Sequence, residues 1–180
     1  MRIAVVDLLF NWPPDSGARV DTYHLLRYLQ TRHNVELITV EPLDAFPRGR
    51  VPKDFPFPMT RVAIADASTG IEASERIAET VGARKPDRVL VTDAWHLKAR
   101  LIHALAPMSP IVRFYAHESL CLKGHGHQYR NDAVCEVDVL ADPDCRAMDC
   151  LPCWRDWRSS SLSTVFDRES ELADVGADDY

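Results

Sequence analysis

Several patterns that define common functional classes are missing from this chain of 180 residues. There is no G-x-G-x-x-G turn and no G-x-x-x-x-G-K-[ST] loop, so the usual signatures of a dinucleotide-binding domain and an NTPase are lacking. The longest apolar runs are only as long as β-strands, and they predict no membrane-spanning helix. Because 27 acidic residues outnumber 21 Lys and Arg, giving a net charge of −6, the composition shows no basic excess for binding nucleic acid.

We also expect no secretory signal, because Met1 leads directly into a strand-like run. We therefore expect a cytoplasmic protein, either free or peripheral to the inner face of a membrane. Cysteine does not occur before Cys121, although the chain contains five. In a reducing compartment, such clustered cysteines are more often metal ligands or free thiols than disulfides.

The first third of the chain has the pattern of a βαβ unit. Ile3–Phe10 is mostly apolar without alternation, as in a central strand that is covered on both faces. Asn11–Gly17 breaks this strand with two prolines and can open a helix. A stripe of helical period follows, and then a second strand at Val35–Val40; the stripe consists of Thr22, Leu25, Leu26 and Leu29.

Three further strands are predicted at Arg61–Ala65, Arg88–Thr92 and Pro110–Tyr115, with amphipathic helices over 71–81 and 97–105. This alternation predicts an α/β fold, a Rossmann-like doubly wound parallel sheet with strand order 3-2-1-4-5. Ligands bind such sheets at the carboxyl ends of the strands. The loops Asn11–Gly17, Asp93–His96 and Ala116–Ser119 are therefore predicted to line one crevice.

Two stretches lack a clear period. Pro42–Met59 holds five prolines and three phenylalanines; it is either a surface loop whose aromatic rings cover the sheet or a loop that faces a substrate. Residues 120–158 form a cysteine-rich excursion, and a last helix is predicted from Leu162. We interpret residues 1–180 as a single domain that stops where another strand would begin.

Candidate binding residues follow the predicted strands. Bare N–H groups at Ser16 and Gly17 would suit an anion such as phosphate, although most Ser-Gly turns are only structural. His117, beside Glu118, can donate to a sugar hydroxyl or a phosphate oxygen, or can simply be a half-buried side chain bound to a carbonyl. Asp93 and His96 share that edge, but an aspartate after a strand is often a helix cap.

The last four cysteines have the spacing C-x9-C-x4-C-x2-C and comprise Cys135, Cys145, Cys150 and Cys153. A tetrahedral zinc site needs four such ligands and often includes a two-residue spacer. A structural zinc, unligated thiols, and disulfides or a redox role all stay open, and His125 or His127 could replace a cysteine. No H-E-x-x-H motif indicates a catalytic metal.

These stretches together resemble the amino-terminal half of a GT-B glycosyltransferase of the family 4 retaining type. The similar segments are Met1–Val6 with the turn Pro13–Ala18, the helix end Arg32–Val35, the strand and loop Pro86–His96, and Phe114–Cys121. Some members also carry a cysteine-rich insertion that ends in C-x2-C, as Cys150–Cys153 does. A single glycine, Gly17, stands where members often have two or more.

The resemblance implies transfer of a sugar from a nucleotide-sugar donor to a hydroxyl acceptor, in a cleft between two Rossmann-like domains. By this resemblance Gly17 would lie against the donor phosphate or the acceptor, and His117 would contact the transferring sugar. The family's second domain carries an Arg/Lys pair and a Glu-x7-Glu motif, and no two glutamates here have that spacing. We therefore expect this chain alone to be inactive. The alternative is a non-catalytic Rossmann-like binding module with a structural metal site.

Overall fold

A computed structural model describes residues 1–41, 51, 55–64, 70–94, 97–115, 129–130 and 133–135. The chain forms two compact units, Met1–Arg113 and Phe114–Tyr180. The elements of the first unit are β1 (Arg2–Asp7), α1 (Gly17–Gln30), β2 (Asn34–Val40), β3 (Met59–Val62), α2 (Gly70–Ala83), β4 (Arg88–Asp93), α3 (Lys98–Leu105) and β5 (Ile111–Val112).

The five strands form one parallel sheet in the order β3-β2-β1-β4-β5. The strand order predicted from the sequence is confirmed, as is the central position of β1. Val5 of β1 lies opposite Leu37 of β2 on one side and Leu90 of β4 on the other. Since β1 and β4 adjoin although α1, β2, β3 and α2 intervene in sequence, the direction of strand addition reverses between them, which makes their carboxyl ends the switch point of the sheet.

Both faces of the sheet are covered, which explains why β1 lacks a polar alternation. On one face Ala4 and Val6 pack with side chains of α2 and α3, including Ile77 and Leu101. On the other face the core is formed by residues of β1, β2, α1 and the segment before β3, namely Ile3, Val5, Phe10, Leu26, Val35, Leu37, Val51, Phe55 and Phe57. The fold is therefore the three-layer arrangement typical of Rossmann-like domains.

Part of the connection between β2 and β3 covers the α1 face of the sheet. Phe55 and Phe57 are buried, and their ring centroids lie 5.2 Å apart. Phe55 also contacts Phe10 at 5.5 Å and Trp12 at 5.6 Å between centroids. Of the two interpretations of Pro42–Met59, these contacts favour aromatic rings that cover the sheet, while Phe46 lies outside the described residues.

Element boundaries differ from the sequence-based expectation in physically understandable ways. β1 ends at Asp7, and Leu8–Phe10 are buried after it without being part of the strand. α2 continues through Gly82 to Ala83, and the left-handed turn that follows is made by Lys85 (φ 49°), whose N–H donates to the Gly82 carbonyl. β5 has only two paired residues instead of the predicted six.

The described part of the second unit includes a short antiparallel pair, β6 (Tyr129–Arg130) and β7 (Ala133–Val134). It lies within the stretch that we predicted to be irregular. The helix predicted from Leu162 lies outside the described residues. Among the helices that the structure describes, none is long and apolar enough to cross a membrane.

Candidate functional site

Helix α1 begins at the carboxyl edge of the sheet with an uncapped first turn. Ser16 is the N-cap residue in an extended conformation, and its side chain makes no capping hydrogen bond. The first helical hydrogen bond joins the Val20 N–H to the Ser16 carbonyl at 2.9 Å. Gly17 is exposed, and a Cβ built on it would meet no heavy atom within 4 Å. The predicted pair Ser16 and Gly17 therefore stands at an open helix N-terminus.

Arg19, in the same turn, folds back over the start of its own helix. Its Nε donates to the Leu9 carbonyl at 3.0 Å, and its Nη1 donates to the Ser16 hydroxyl at 3.1 Å. The Nη2 atom lies 3.7 Å from Oδ2 of Asp93. Since Arg19 is only 7% exposed, this guanidinium is a buried cation that joins the turn after β1 to the end of β4.

Asp7, the last residue of β1, is 1% exposed and accepts hydrogen bonds from three elements. Its Oδ2 accepts from the hydroxyls of Thr22 at 3.0 Å and Thr92 at 2.8 Å, and its Oδ1 accepts from the Leu9 N–H at 3.1 Å. These donors come from α1, β4 and the turn after β1. Asp7 therefore fixes the start of α1 against the two central strands.

Burial, and to a lesser extent the nearby Asp93 carboxylate, raise the pKa of Asp7 to about 6, against the three hydrogen bonds that lower it. Desolvation penalises the charged form of a carboxyl group, and a like charge nearby acts in the same direction. Both carboxylates thus compete for the limited positive charge at this edge. Arg19 is placed on the Asp93 side of the pair.

A register shift in β4 accounts for this arrangement. Val6 pairs with Val91, but Asp7 pairs with Asp93, which leaves Thr92 as the extra residue of a bulge. The Thr92 hydroxyl reaches both the Val6 carbonyl at 3.2 Å and Asp7. Bulges commonly redirect a side chain where a strand ends. Here the bulge brings a hydroxyl to the buried carboxylate at the switch point.

The predicted site residues have different outcomes. Ser16, Gly17 and Asp93 lie at one edge of the sheet, and Arg19 joins Ser16 to Asp93. Asp93 is 5% exposed and belongs to a buried ion pair, which differs from a side chain directed into solvent for a ligand. His96, His117 and Glu118 lie outside the described residues, so their predicted roles stay predictions.

Sequence reasoning missed Asp7, Arg19 and Thr92 as members of this site. Asp7 is the only charged residue in the apolar run Ile3–Phe10, and that exception was a usable signal. Arg19 offered a weaker one, since a base in the first turn of a helix is unfavourable next to the macrodipole. Nothing in the sequence pattern indicates the bulge that brings Thr92 to Asp7.

The predicted zinc ligands are mostly outside the described residues. Cys135 directly follows β7 and is a half-buried free thiol. Cys145, Cys150 and Cys153 are not described. Within the described ranges, no three His, Cys, Asp or Glu side chains form a group that could hold a metal ion. A zinc site at these four cysteines therefore stays a prediction.

A concave region lies at the opposite edge of the sheet, at the amino-terminal ends of the strands. It has a volume of about 550 Å³, and its lining includes Arg2, Arg32, His33 and Asp87. The Asp87 carboxylate accepts the Arg2 N–H at 2.6 Å. This depression lies at the other end of β1 and β4 from the switch point. A ligand that binds here can therefore be distinguished from one that binds at the switch point.

Comparison with known proteins gives no match to this chain among family models, curated proteins or solved structures.

Proposed function

We propose that this chain is the acceptor-side domain of a glycosyltransferase that moves a sugar from a nucleotide-sugar to a hydroxyl acceptor. The observation that carries the proposal is the start of α1 at the switch point, where exposed Gly17 follows β1, the strand that adjoins β4 in the sheet. Parallel sheets bind their ligands at such a position. The segments that resemble family 4 enzymes include the turn and the strand that meet at this edge.

In this proposal the residues have distinct roles. The backbone at Gly17 approaches the donor phosphate or the acceptor, because its missing side chain leaves open space. His117 contacts the sugar as it leaves the diphosphate, and Glu118 and His96 lie around it. Asp7 and Arg19 are positioning residues, since they bond to the protein and hold the turn in place.

A second domain would supply the anchor for the nucleotide, so the isolated chain should show no turnover. Calorimetry with UDP- and GDP-sugars tests whether nucleotide binding requires the second domain. We expect no saturable heat at micromolar concentrations for the chain alone, and sugar transfer by the product of the complete gene. Micromolar binding by the chain itself, without transfer by the complete protein, would contradict the proposal and favour the non-catalytic binding module.

A further inference from the structure

We propose that the amino-terminal edge of the sheet is a docking surface for an acidic segment of a partner polypeptide. Four cationic side chains and one aromatic ring form this basic surface, namely Arg2, Tyr28, Arg32, Lys85 and Arg88. It lies at the other end of β1 and β4 from the switch point. The inference therefore does not depend on the proposed function, which concerns the carboxyl edge.

The four cations share this edge because parallel strands all begin on the same side of a sheet. Arg2 is the first residue of β1, and Arg88 is the first residue of β4. Arg32 lies just before β2, and Lys85 lies between α2 and β4. All four side chains belong to exposed residues. In a chain with a net charge of −6, this edge is thus a local concentration of positive charge.

Helix macrodipoles account for only part of this concentration. Arg32 and Lys85 follow the C-terminal ends of α1 and α2, where cations offset a partial negative charge. Arg2 and Arg88 begin strands, and a sheet has only a small net dipole to offset. Neither forms an ion pair with a residue that the structure describes, whereas Arg84 lies 3.8 Å from Glu36.

Asp87 lies beside these cations but does not cancel them. Its carboxylate accepts the Arg2 N–H at 2.6 Å. This hydrogen bond is the main cause that lowers the pKa of Asp87, and the charges of Arg2 and Arg88 lower it further. One carboxylate facing four cations leaves the basic surface with a net positive charge, which favours an anionic partner.

The basic surface is concave, and its backbone is fixed. Arg2 and Arg32 line the depression of about 550 Å³. The Met1 carbonyl accepts the Asn34 N–H at 3.0 Å, and the Arg2 carbonyl accepts the Asp87 N–H at 2.8 Å. These bonds hold the start of β1 on both sides. A preorganised surface loses less conformational entropy when a partner binds.

Tyr28 adds an apolar contact beside the depression. The residue is 59% exposed, and the guanidinium carbon of Arg32 lies 5.6 Å from the centroid of its ring. This distance is within the range of a cation–π interaction. Tyrosine and arginine are enriched in protein interfaces and among the residues that dominate binding energy. The pair therefore presents an apolar and a charged contact side by side.

An acidic polypeptide fits this surface better than other anionic partners do. Surface-bound membrane helices present a continuous apolar face to lipid, which the described residues of this surface do not provide. The chain has no basic excess for nucleic acid. The cations are spread over the ends of several elements. An extended chain with several carboxylates can therefore reach more of them than a compact anion can.

The test is a titration of the full chain with a hexaglutamate peptide, followed by amide NMR shifts. Because exposed ion pairs are individually weak, we expect a Kd on the order of 0.1–1 mM at about 50 mM salt. The affinity should fall about tenfold at about 300 mM salt, since salt screens exposed charges. We expect saturable shifts at residues 2, 28–34 and 85–88. Absence of saturable shifts, or shifts concentrated elsewhere, would overturn the proposal.

Arg32→Glu should weaken hexaglutamate binding about tenfold, because attraction is replaced by repulsion. Arg76→Glu is the matched control, since it makes the same charge change at an exposed position in the middle of α2. We expect the control to change the affinity by less than about twofold. An equal loss in both variants would show that only the net charge matters and would refute the docking surface.

Arg2→Gln combined with Arg32→Gln keeps the test decisive if Arg32→Glu fails to fold. The double variant removes two cations without placing a carboxylate at the end of α1. We expect it to bind hexaglutamate about tenfold more weakly than the wild type does. Unchanged affinity in a folded double variant would contradict the proposal.

Two further probes distinguish other anionic partners. Vesicles that contain phosphatidylserine test a membrane surface, and a single-stranded oligonucleotide with the charge of hexaglutamate tests nucleic acid. We expect no co-sedimentation with the vesicles and weaker binding of the oligonucleotide than of hexaglutamate. Tighter binding of either probe, lost in Arg32→Glu, would assign the basic surface to that partner and overturn the proposal.

Discussion

The Thr22 hydroxyl donates a 3.0 Å hydrogen bond to Oδ2 of Asp7, and both residues are buried. This contact joins the second turn of α1 to the carboxyl end of the central strand. It is reinforced at the helix surface by the Arg113–Asp21 ion pair, with an N to O distance of 2.7 Å. The start of α1, where we place ligand binding, is thus held by polar contacts with the sheet.

Thr22→Val should therefore destabilise the fold. The substitution keeps the shape of the side chain but leaves Asp7 without one of its donors, at a cost of about 1–3 kcal/mol in unfolding free energy. Urea denaturation measures this directly. Thr80→Val is the control, because the Thr80 hydroxyl donates to the Arg76 carbonyl at an exposed position within α2; we expect a change within about 0.5 kcal/mol. Equal effects of both substitutions would contradict the role of the Asp7 contact.

Stability should depend on pH through Asp7. Its pKa is raised in the folded protein from 3.8 to about 6, so between these values the unfolded chain has lost a proton that the folded protein retains. The contribution of Asp7 to stability consequently decreases as pH rises. Relative to Asp7→Asn, the wild type should lose about 2 kcal/mol of unfolding free energy between about pH 4.5 and about pH 7.

Asp87 provides the control for this pH dependence. The Arg2 N–H lowers the pKa of Asp87 below 3.8. Its stabilising contribution is present above that range and is lost only at lower pH, as the folded pKa is approached. Asp87→Asn should therefore leave the slope between about pH 4.5 and about pH 7 unchanged. If the difference in unfolding free energy between wild type and Asp7→Asn does not change with pH over this range, the pKa of Asp7 is not raised in the folded protein.

Phe55→Ala should be strongly destabilising. The ring belongs to the connection between β2 and β3, and it packs in the core on the α1 face of the sheet. Phe55 is 8% exposed and contacts Phe10, Trp12 and Phe57. Removing such a ring costs about 3–5 kcal/mol. Tyr28→Ala is the comparison, since Tyr28 is 59% exposed and should lose less than about 1 kcal/mol. A mild effect at Phe55 would show that this segment can leave the sheet without loss of the core.

The zinc hypothesis predicts about one metal equivalent per chain in protein purified without chelator. Structural zinc contributes roughly 10 kcal/mol or more to the folding of small modules, which would order the cysteine-rich excursion. Cys150→Ser combined with Cys153→Ser should abolish the metal, whereas Cys121→Ser should retain it. Metal-free protein, or disulfides among these cysteines, would exclude the site.

The strand order could be predicted because it depends on coarse signals. Apolar strands that alternate with amphipathic helices allow few arrangements of a parallel sheet. The central position of β1 agrees with its sequence, because both of its faces are buried. Thr22 was correctly placed on the buried stripe of α1. Periodicity could not show that its hydroxyl bonds to Asp7, because this partner lies 15 residues away.

The polar contacts of the site were less predictable for the same reason. Arg19 acts through the Leu9 carbonyl, the Ser16 hydroxyl and Asp93, and these contacts exist only once the turn and two strands have assembled. The length of β5 was overestimated because the apolar character of Pro110–Tyr115 extends beyond its pairing with β4. Hydrophobic pattern indicates burial, whereas pairing depends on the neighbouring strand.

The central claim is that ligands bind at the carboxyl ends of β1 and β4, and amide NMR mapping with a nucleotide-sugar at millimolar concentration tests it most directly. We predict that the shifted signals cluster at residues 16–19 and 92–94 and that Gly17→Ala removes these shifts while Gly82→Ala preserves them. Shifts concentrated at the amino-terminal depression, around Arg32–Asn34 and Asp87, or unchanged by Gly17→Ala, would contradict the account.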